Sequence, residues 1–252
     1  VDVFLDERRK WYLETYLKVD SHAKVEKHRW DVKAGWMEVE VVRGEVFEKA
    51  AYALSNLTTR EKEAPYVPAN TFIRHLEAMI FPRNPRAPMA AIHLVFGESL
   101  TCDKSKNIAN IFLDLFPQVS VKEDLDFFQN EMRAISEKYG MNYGTLRAKT
   151  LGVYQDLAAH VGLMHTVIGV NENEYEFIKE SSKVAFLTEM EIIKKRCHEK
   201  AAENEYEQMN RARMKLLDYM YLKDPVIKSY CTEFSIPLEA IASYAFPPSV
   251  KF

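Results

Sequence analysis

Glycine is scarce in this sequence, with 8 residues among 252, well under the roughly 7% of average usage. No GxGxxG and no GxxxxGK[ST] is present, which excludes the backbone loops that cradle dinucleotide and nucleoside phosphates. GxSxG and HExxH are also missing, so neither a nucleophile elbow nor a metalloprotease helix is encoded. Only three cysteines occur, Cys102, Cys197 and Cys231. They lie far apart with no CxxC, an arrangement that argues against structural zinc and implies buried thiols in a reducing compartment. Neither sign of charge is in excess: 34 Lys and Arg stand against 37 Asp and Glu, a net charge of −3. That balance supplies no electrostatic reason for a nucleic acid or an anionic membrane as partner. No run approaches 18 apolar residues, so no membrane-spanning helix is expected. Charges run through the first twenty residues, unlike a secretory signal, and the expected location is cytoplasmic. The chain begins at Val1 rather than Met, which leaves room for a trimmed upstream segment.

What is present is a normal globular mixture, 47% hydrophobic and 28% charged, enough to build a substantial core. Residues 2–18 read as a helix. WMEVEVV, from Trp36 to Val42, alternates with the period of a half-buried strand, placing Val39 and Val41 on one face and Glu38 and Glu40 on a solvated one. Val46–Leu57 and Thr71–Phe81 fit strand or helix equally. Prolines 82, 85 and 88 lead into the short apolar run Met89–Phe96, a strand with Ala90, Ile92, Leu94 and Phe96 on one face and Ala91, His93 and Val95 on the other. Ser120 and Glu123 form a capping-box pattern ahead of Leu125, Phe128, Met132, Ile135 and Tyr139 at helical spacing, and Gly140 supplies a stop. Further helices are expected over about 143–160 and 174–203. Arg213–Leu222 and Leu238–Phe246 read as strands. Without repeats, low-complexity tracts or linkers, residues 1–252 form one domain. The expected class is α+β: a large, mostly antiparallel sheet flanked by helices on both faces.

Three stretches carry a family resemblance. Val46–Ser55 contains FEKA and ends at Ser55, similar to a "VFEKAGVNxS" strand. Phe81–Pro88 reads FPRNPRAP, similar to an "HPRNPxxP" turn. The C-terminal part starts RAR at Arg211, passes through Tyr221 and closes EAI…PP between Glu239 and Pro248, similar to "RGRYxEFNLxYDRG…ESILMSLPP". In this order and spacing they resemble the oxygen-dependent coproporphyrinogen III oxidases over residues 30–252. The resemblance implies a flattish antiparallel sheet with helices on both sides, usually in a homodimer. It also implies oxidative decarboxylation of tetrapyrrole propionates by dioxygen as co-substrate, with no metal and no organic cofactor, in porphyrin and heme biosynthesis.

The chain departs from that pattern at the chemistry. Ala91 stands where the family has a His, His93 where it has an Asn, Val95 where it has an Arg, and Glu98 matches the closing Glu of that strand. The family's "GGGADLTPYY" has no counterpart, and its "HRxExRGxGGIFFDD" is reduced to His160, Gly162, Val167 and Gly169. Pro237 replaces a further Arg. In a strand His93 shares the face of Ala91, so it would point into the family's reaction cavity. Asp218, matching the Asn of "EFNL", is the candidate partner that would poise it as an acid or base. The alternative is a core histidine satisfied by a carbonyl or water.

The substrate-binding candidates are Arg83, Ser55, Glu98, Arg211, Arg213 and Tyr221. Arg83 could grip an anion or a backbone carbonyl, and Arg211 and Arg213 could bind carboxylates or be solvated. His160 and His165, five apart, are poorly spaced as metal ligands. Trp30, Trp36, Tyr52 and Tyr221 could line a flat ligand or belong to the core. Two functions follow: a cofactor-independent, oxygen-using oxidoreductase on a tetrapyrrole or related small molecule, or a non-catalytic binder of a tetrapyrrole or another flat ligand. A metal site around His93 and Asp218 would need at least one more ligand.

Overall fold

Seven antiparallel strands, each paired with its sequence neighbour in the order β1 to β7, organise the chain. The computed structural model describes residues 1–59 and 68–248. Helix α1 (Asp2–Val19) precedes β1 (Lys24–Val32), β2 (Gly35–Arg43), β3 (Phe47–Thr58), β4 (Thr71–Pro82), β5 (Met89–Ser99) and β6 (Ile108–Phe116). Helices α2 (Lys122–Lys138) and α3 (Tyr143–Thr150) then lead to β7 (Leu163–Ile168). Four helices close the described chain: α4 (Glu172–Arg196), α5 (Glu203–Leu222), α6 (Pro225–Thr232) and α7 (Leu238–Tyr244).

The period-2 alternation of the strands divides the buried side chains between two cores. On one face Leu54, Leu76, Leu94 and Ile111 meet Tyr12, Phe128, Phe177 and Phe186 from α1, α2 and α4. On the other, Ala51, Met79, Ala91 and Phe112 meet Leu216, Ile227, Tyr230 and Tyr244 from α5, α6 and α7. The α+β class, with one antiparallel sheet between helical layers, is therefore observed. Each fully buried Leu, Ile, Phe or Met removes enough apolar surface from water to contribute about 1.5–3 kcal/mol. Among the described residues, no helix is long and apolar enough to cross a membrane.

Two glycines are used for close backbone approach rather than for phosphate. Gly35 turns β1 into β2 at φ +148°, and a Cβ there would lie 1.9 Å from the Asn56 carbonyl oxygen. At Gly162 a Cβ would stand 1.7 Å from the Leu113 carbonyl oxygen, so only a residue without a side chain lets the chain pass β6.

Several expectations are corrected. Arg213–Leu222 lies inside helix α5, and Leu238–Tyr244 is helix α7. Both were expected as strands because their apolar residues are dense enough to fit either period. The Ser120–Glu123 capping box does not form: α2 starts at Lys122 with Val121 as its cap, and Glu123 bonds Lys195 Nζ at 2.7 Å instead. A capping box does open α4, between Asn171 and Glu174. Helix α3 stops at Thr150 rather than continuing to 160, because the chain turns through Tyr154 at φ +53°. Helix α4 ends at Arg196, short of 203. Glu40 is buried and Glu38 half-buried rather than solvated, since α1 packs on their face. Glu38 pairs with Arg9 at 2.9 Å and Arg29 at 2.6 Å, and Glu40 with Lys27 at 2.7 Å and the Tyr52 hydroxyl. The thiols are free but not buried: Cys102 is exposed, and Cys197 and Cys231 are half-buried.

Candidate functional site

His75 and Glu77 are two residues apart on β4, so both side chains leave the same face of the sheet. The β4–β5 register places Glu77 directly across from His93, and the β3–β4 register places Ser55 across from His75. Directly opposed residues share a face, so one patch of three adjacent strands presents Ser55, His75, Glu77 and His93 to the layer of α5–α7. His75 Nε2 lies 3.0 Å from His93 Nδ1 and 3.5 Å from Glu77 Oε2, and His93 Nδ1 lies 3.8 Å from that oxygen. One donor atom from each of the three residues thus lies within 4.8 Å of the other two.

The C-terminal helices roof this patch. Asp224 caps α6 by accepting from Val226 N at 2.8 Å and Ile227 N at 3.3 Å, with Pro225 at the first helical position. That is a strong local start signal. It aims Tyr230 down at the sheet, where its hydroxyl bonds His75 Nδ1. Helix α7 brings the Tyr244 hydroxyl to Glu77 Oε2, donating at 3.1 Å. From the turn after α3, the Tyr154 hydroxyl donates to Asp224 Oδ2 at 3.2 Å. The patch is consequently tied to α6 and α7, and α6 itself to the turn after α3.

Burial controls the protonation of these groups. It holds the His75 imidazole well below its ordinary pKa, with the adjacent His93 adding to the effect, so the ring is neutral at neutral pH. Burial, reinforced by the Glu77 carboxylate, raises the Tyr230 and Tyr244 hydroxyls and keeps them protonated. It also raises the Asp224 carboxyl, against the hydrogen bonds it accepts.

A cavity of about 180 Å³ opens beside the patch, with His93, Glu77, Asn110 and Asp224 as its polar wall and Phe112 and Met164 among its apolar lining. No Lys or Arg is among its described lining residues. With two acids and no Lys or Arg in that described lining, a cation or a neutral molecule is favoured there over an anion.

Of the residues singled out in the sequence, His93 and Ser55 belong to this site and the others are elsewhere. Asp218 is on α5, half exposed, 3.3 Å from Lys223, and is not part of the cavity wall; the expected His93–Asp218 pair is replaced by His93 with His75 and Glu77. Arg83 is exposed and donates to the Gly44 carbonyl at 2.7 Å. Arg213 is fully buried, bonding Gln118, Glu48 and the Pro82 carbonyl. Arg211 forms a surface pair with Glu207 at 3.7 Å, and Glu98 pairs with Arg74 at 3.0 Å. Tyr221 is exposed. Trp30, Trp36 and Tyr52 are not in the cavity wall either. His160 and His165 do not converge: His160 bonds Thr150 and the Gln155 carbonyl, whereas His165 stands 3.8 Å from Glu174.

Sequence reasoning missed His75, Glu77, Tyr230 and Tyr244. The available signal was HLE at 75–77, an H-x-E spacing inside a stretch whose strand reading places both residues on one face.

Imidazole and carboxylate groups are thus gathered on adjacent strands under a helical roof, beside a cavity. Compared with protein-family models and with curated proteins, the chain matches none.

Proposed function

We propose that this protein is an oxygen-using oxidoreductase on a scaffold resembling coproporphyrinogen oxidase, acting on a compact, largely apolar substrate that is not a polycarboxylate. The carrying observation is the cavity beside His93: about 180 Å³, walled by Glu77 and Asp224, with no Lys or Arg among its described lining residues. It is smaller than the roughly 300–1,000 Å³ of sites for drug-sized ligands. Arg83, Arg211 and Arg213, the cations that a tetracarboxylate would require, are engaged elsewhere. A single neutral, electron-rich ring suits the space, with His93 touching it from the polar wall and the apolar wall excluding water. Dioxygen as the oxidant rests on the resemblance, and the antiparallel sheet between two helical layers is the scaffold the resemblance implies. The homodimer and the cytoplasmic setting belong to the same reading.

The test is dioxygen uptake by the full chain after anaerobic mixing with neutral alkylpyrroles and, separately, with coproporphyrinogen III. Saturable, protein-dependent uptake is expected with the neutral pyrrole and not with the tetracarboxylate, and His93→Ala is expected to remove it. Efficient conversion of coproporphyrinogen would overturn the substrate class. Binding of either compound, seen by Trp fluorescence, with no uptake would replace the enzyme by a binding protein.

A further inference from the structure

We propose that His75 Nε2, Glu77 Oε2 and His93 Nδ1 are the three protein ligands of a divalent first-row transition-metal centre, Fe²⁺ in the working protein, whose remaining coordination positions open into the cavity. The assignment of iron rests on the dioxygen chemistry proposed above; the site itself rests on geometry.

The three donor atoms form a triangle with edges of 3.0, 3.5 and 3.8 Å. A triangle of those edges has a circumradius of about 2.0 Å, so an ion just off its plane lies about 2.0–2.1 Å from all three donors, the range for metal–imidazole and metal–carboxylate bonds. The side chains already stand where ligation requires them. Two come from β4 and one from the facing position of β5, and strand positions hold such a constellation more firmly than loops do.

The outer contacts fit the same assignment. A metal-bound imidazole donates its second ring N–H to a neighbouring acceptor, and the Tyr230 oxygen is in place to accept from His75 Nδ1. That tautomer leaves the Nε2 lone pair free for the ion. Tyr244 donates to Glu77 Oε2 at 3.1 Å, which orients the carboxylate and leaves a second lone pair on that oxygen. No Lys or Arg among the described cavity-lining residues would repel a dication, and Asp224 adds a further acid to the wall.

Two imidazoles and one carboxylate suit iron or zinc rather than magnesium or calcium, which take all-oxygen sets. With iron, this donor set and its open positions are those of dioxygen-using non-haem centres. This proposal departs from the metal-free expectation that the resemblance implies, in which His93 stands where the family has an Asn.

The experiment is anaerobic titration of chelator-treated full-length protein with Co²⁺, followed through its visible ligand-field bands. One equivalent is expected. His93→Ala and Glu77→Gln are each expected to weaken binding by about 100-fold or more, and Tyr230→Phe by about 10–100-fold as an outer contact. X-ray absorption of the wild-type cobalt protein, which needs no variant to fold, is expected to show two imidazoles. Failure of the folded wild type to take up the ion, unchanged affinity in the two ligand variants, or fewer than two imidazoles would each overturn the site. Because no substrate is present, the outcome separates the two proposals. A metal site without oxidation removes the proposed reaction alone, and oxidation by metal-free protein removes the centre alone.

Discussion

Glu77 and His93 occupy directly opposed positions on β4 and β5, with Glu77 Oε2 3.8 Å from His93 Nδ1. The pairing is a property of register. A slip of one residue between these strands would send either side chain to the opposite face, among Leu76, Leu94 and Phe128. The cost of burying these polar groups among apolar side chains therefore holds the register and, with it, the cluster.

The roof over this pair is testable through Tyr244. Its hydroxyl is buried and donates to Glu77 at 3.1 Å, so Tyr244→Phe leaves the carboxylate short of a donor. Loss of about 1–2 kcal/mol is expected in urea unfolding, against less than about 0.5 kcal/mol for the exposed Tyr221→Phe. Equal stability of the two variants would show that α7 does not hold Glu77.

Arg213 and Arg211, two residues apart on α5, are expected to behave differently. Arg213 is 1% exposed and ties α5 to Glu48 at 2.6 Å, Gln118 at 2.8 Å and the Pro82 carbonyl at 2.8 Å. Arg213→Ala strands these partners and is expected to cost about 3–5 kcal/mol. Arg211→Ala removes an exposed pair and is expected to change stability by less than about 0.5 kcal/mol. Guanidinium denaturation of both variants checks this, and a mild Arg213 effect would return that residue to the list of ligand-binding cations.

Lys49 gives a pH signature. Its ammonium lies 2% exposed under α7, donating to the Ala242 carbonyl at 3.2 Å and to the Phe246 carbonyl. Ala242 lies in the last turn of α7, whose carbonyls the helix cannot satisfy itself, and Phe246 follows just beyond the helix. Burial, helped by Arg43 and Arg213, lowers its pKa to about 7, while the unfolded chain keeps the ordinary value near 10.5. Between these values the unfolded state binds more protons, so stability rises with pH above 7 and is lost again as pH falls back towards 7. Urea midpoints at pH 7 and 9.5 are expected to differ in that direction, by an amount on the order of a few kcal/mol. The extra slope is expected to vanish in Lys49→Met. An identical slope in the variant would mean that the lysine is not enclosed.

How far the sequence reaches is clearest strand by strand. In β5 the alternation of Ala90, Ile92, Leu94 and Phe96 with Ala91, His93 and Val95 separates the two cores as read, and it identified the face of His93. The neighbouring β6 is buried at all nine positions and β1 is exposed along nearly all of its length. One is enclosed on both sides and the other is an open edge, so neither alternates, and neither was recognised. Helix α5 read as a strand because RMKLLDYMYL carries apolar residues at both spacings, and only packing against the sheet through Leu216 and Met220 selects the helix.

The amino-acid sequence alone determined the α+β class, the amphipathic faces of α2 and β5, and the absence of phosphate loops and membrane-spanning helices. These depend on local spacing and composition. The meeting of His75, Glu77 and His93 depended on the register of β4 against β5, and the descent of Tyr230 and Tyr244 depended on where α6 and α7 settle. Those are contacts between residues 16 to 167 positions apart, and no local pattern encodes them. They follow from burying two apolar faces of one sheet at once, a condition that exists only in the folded chain.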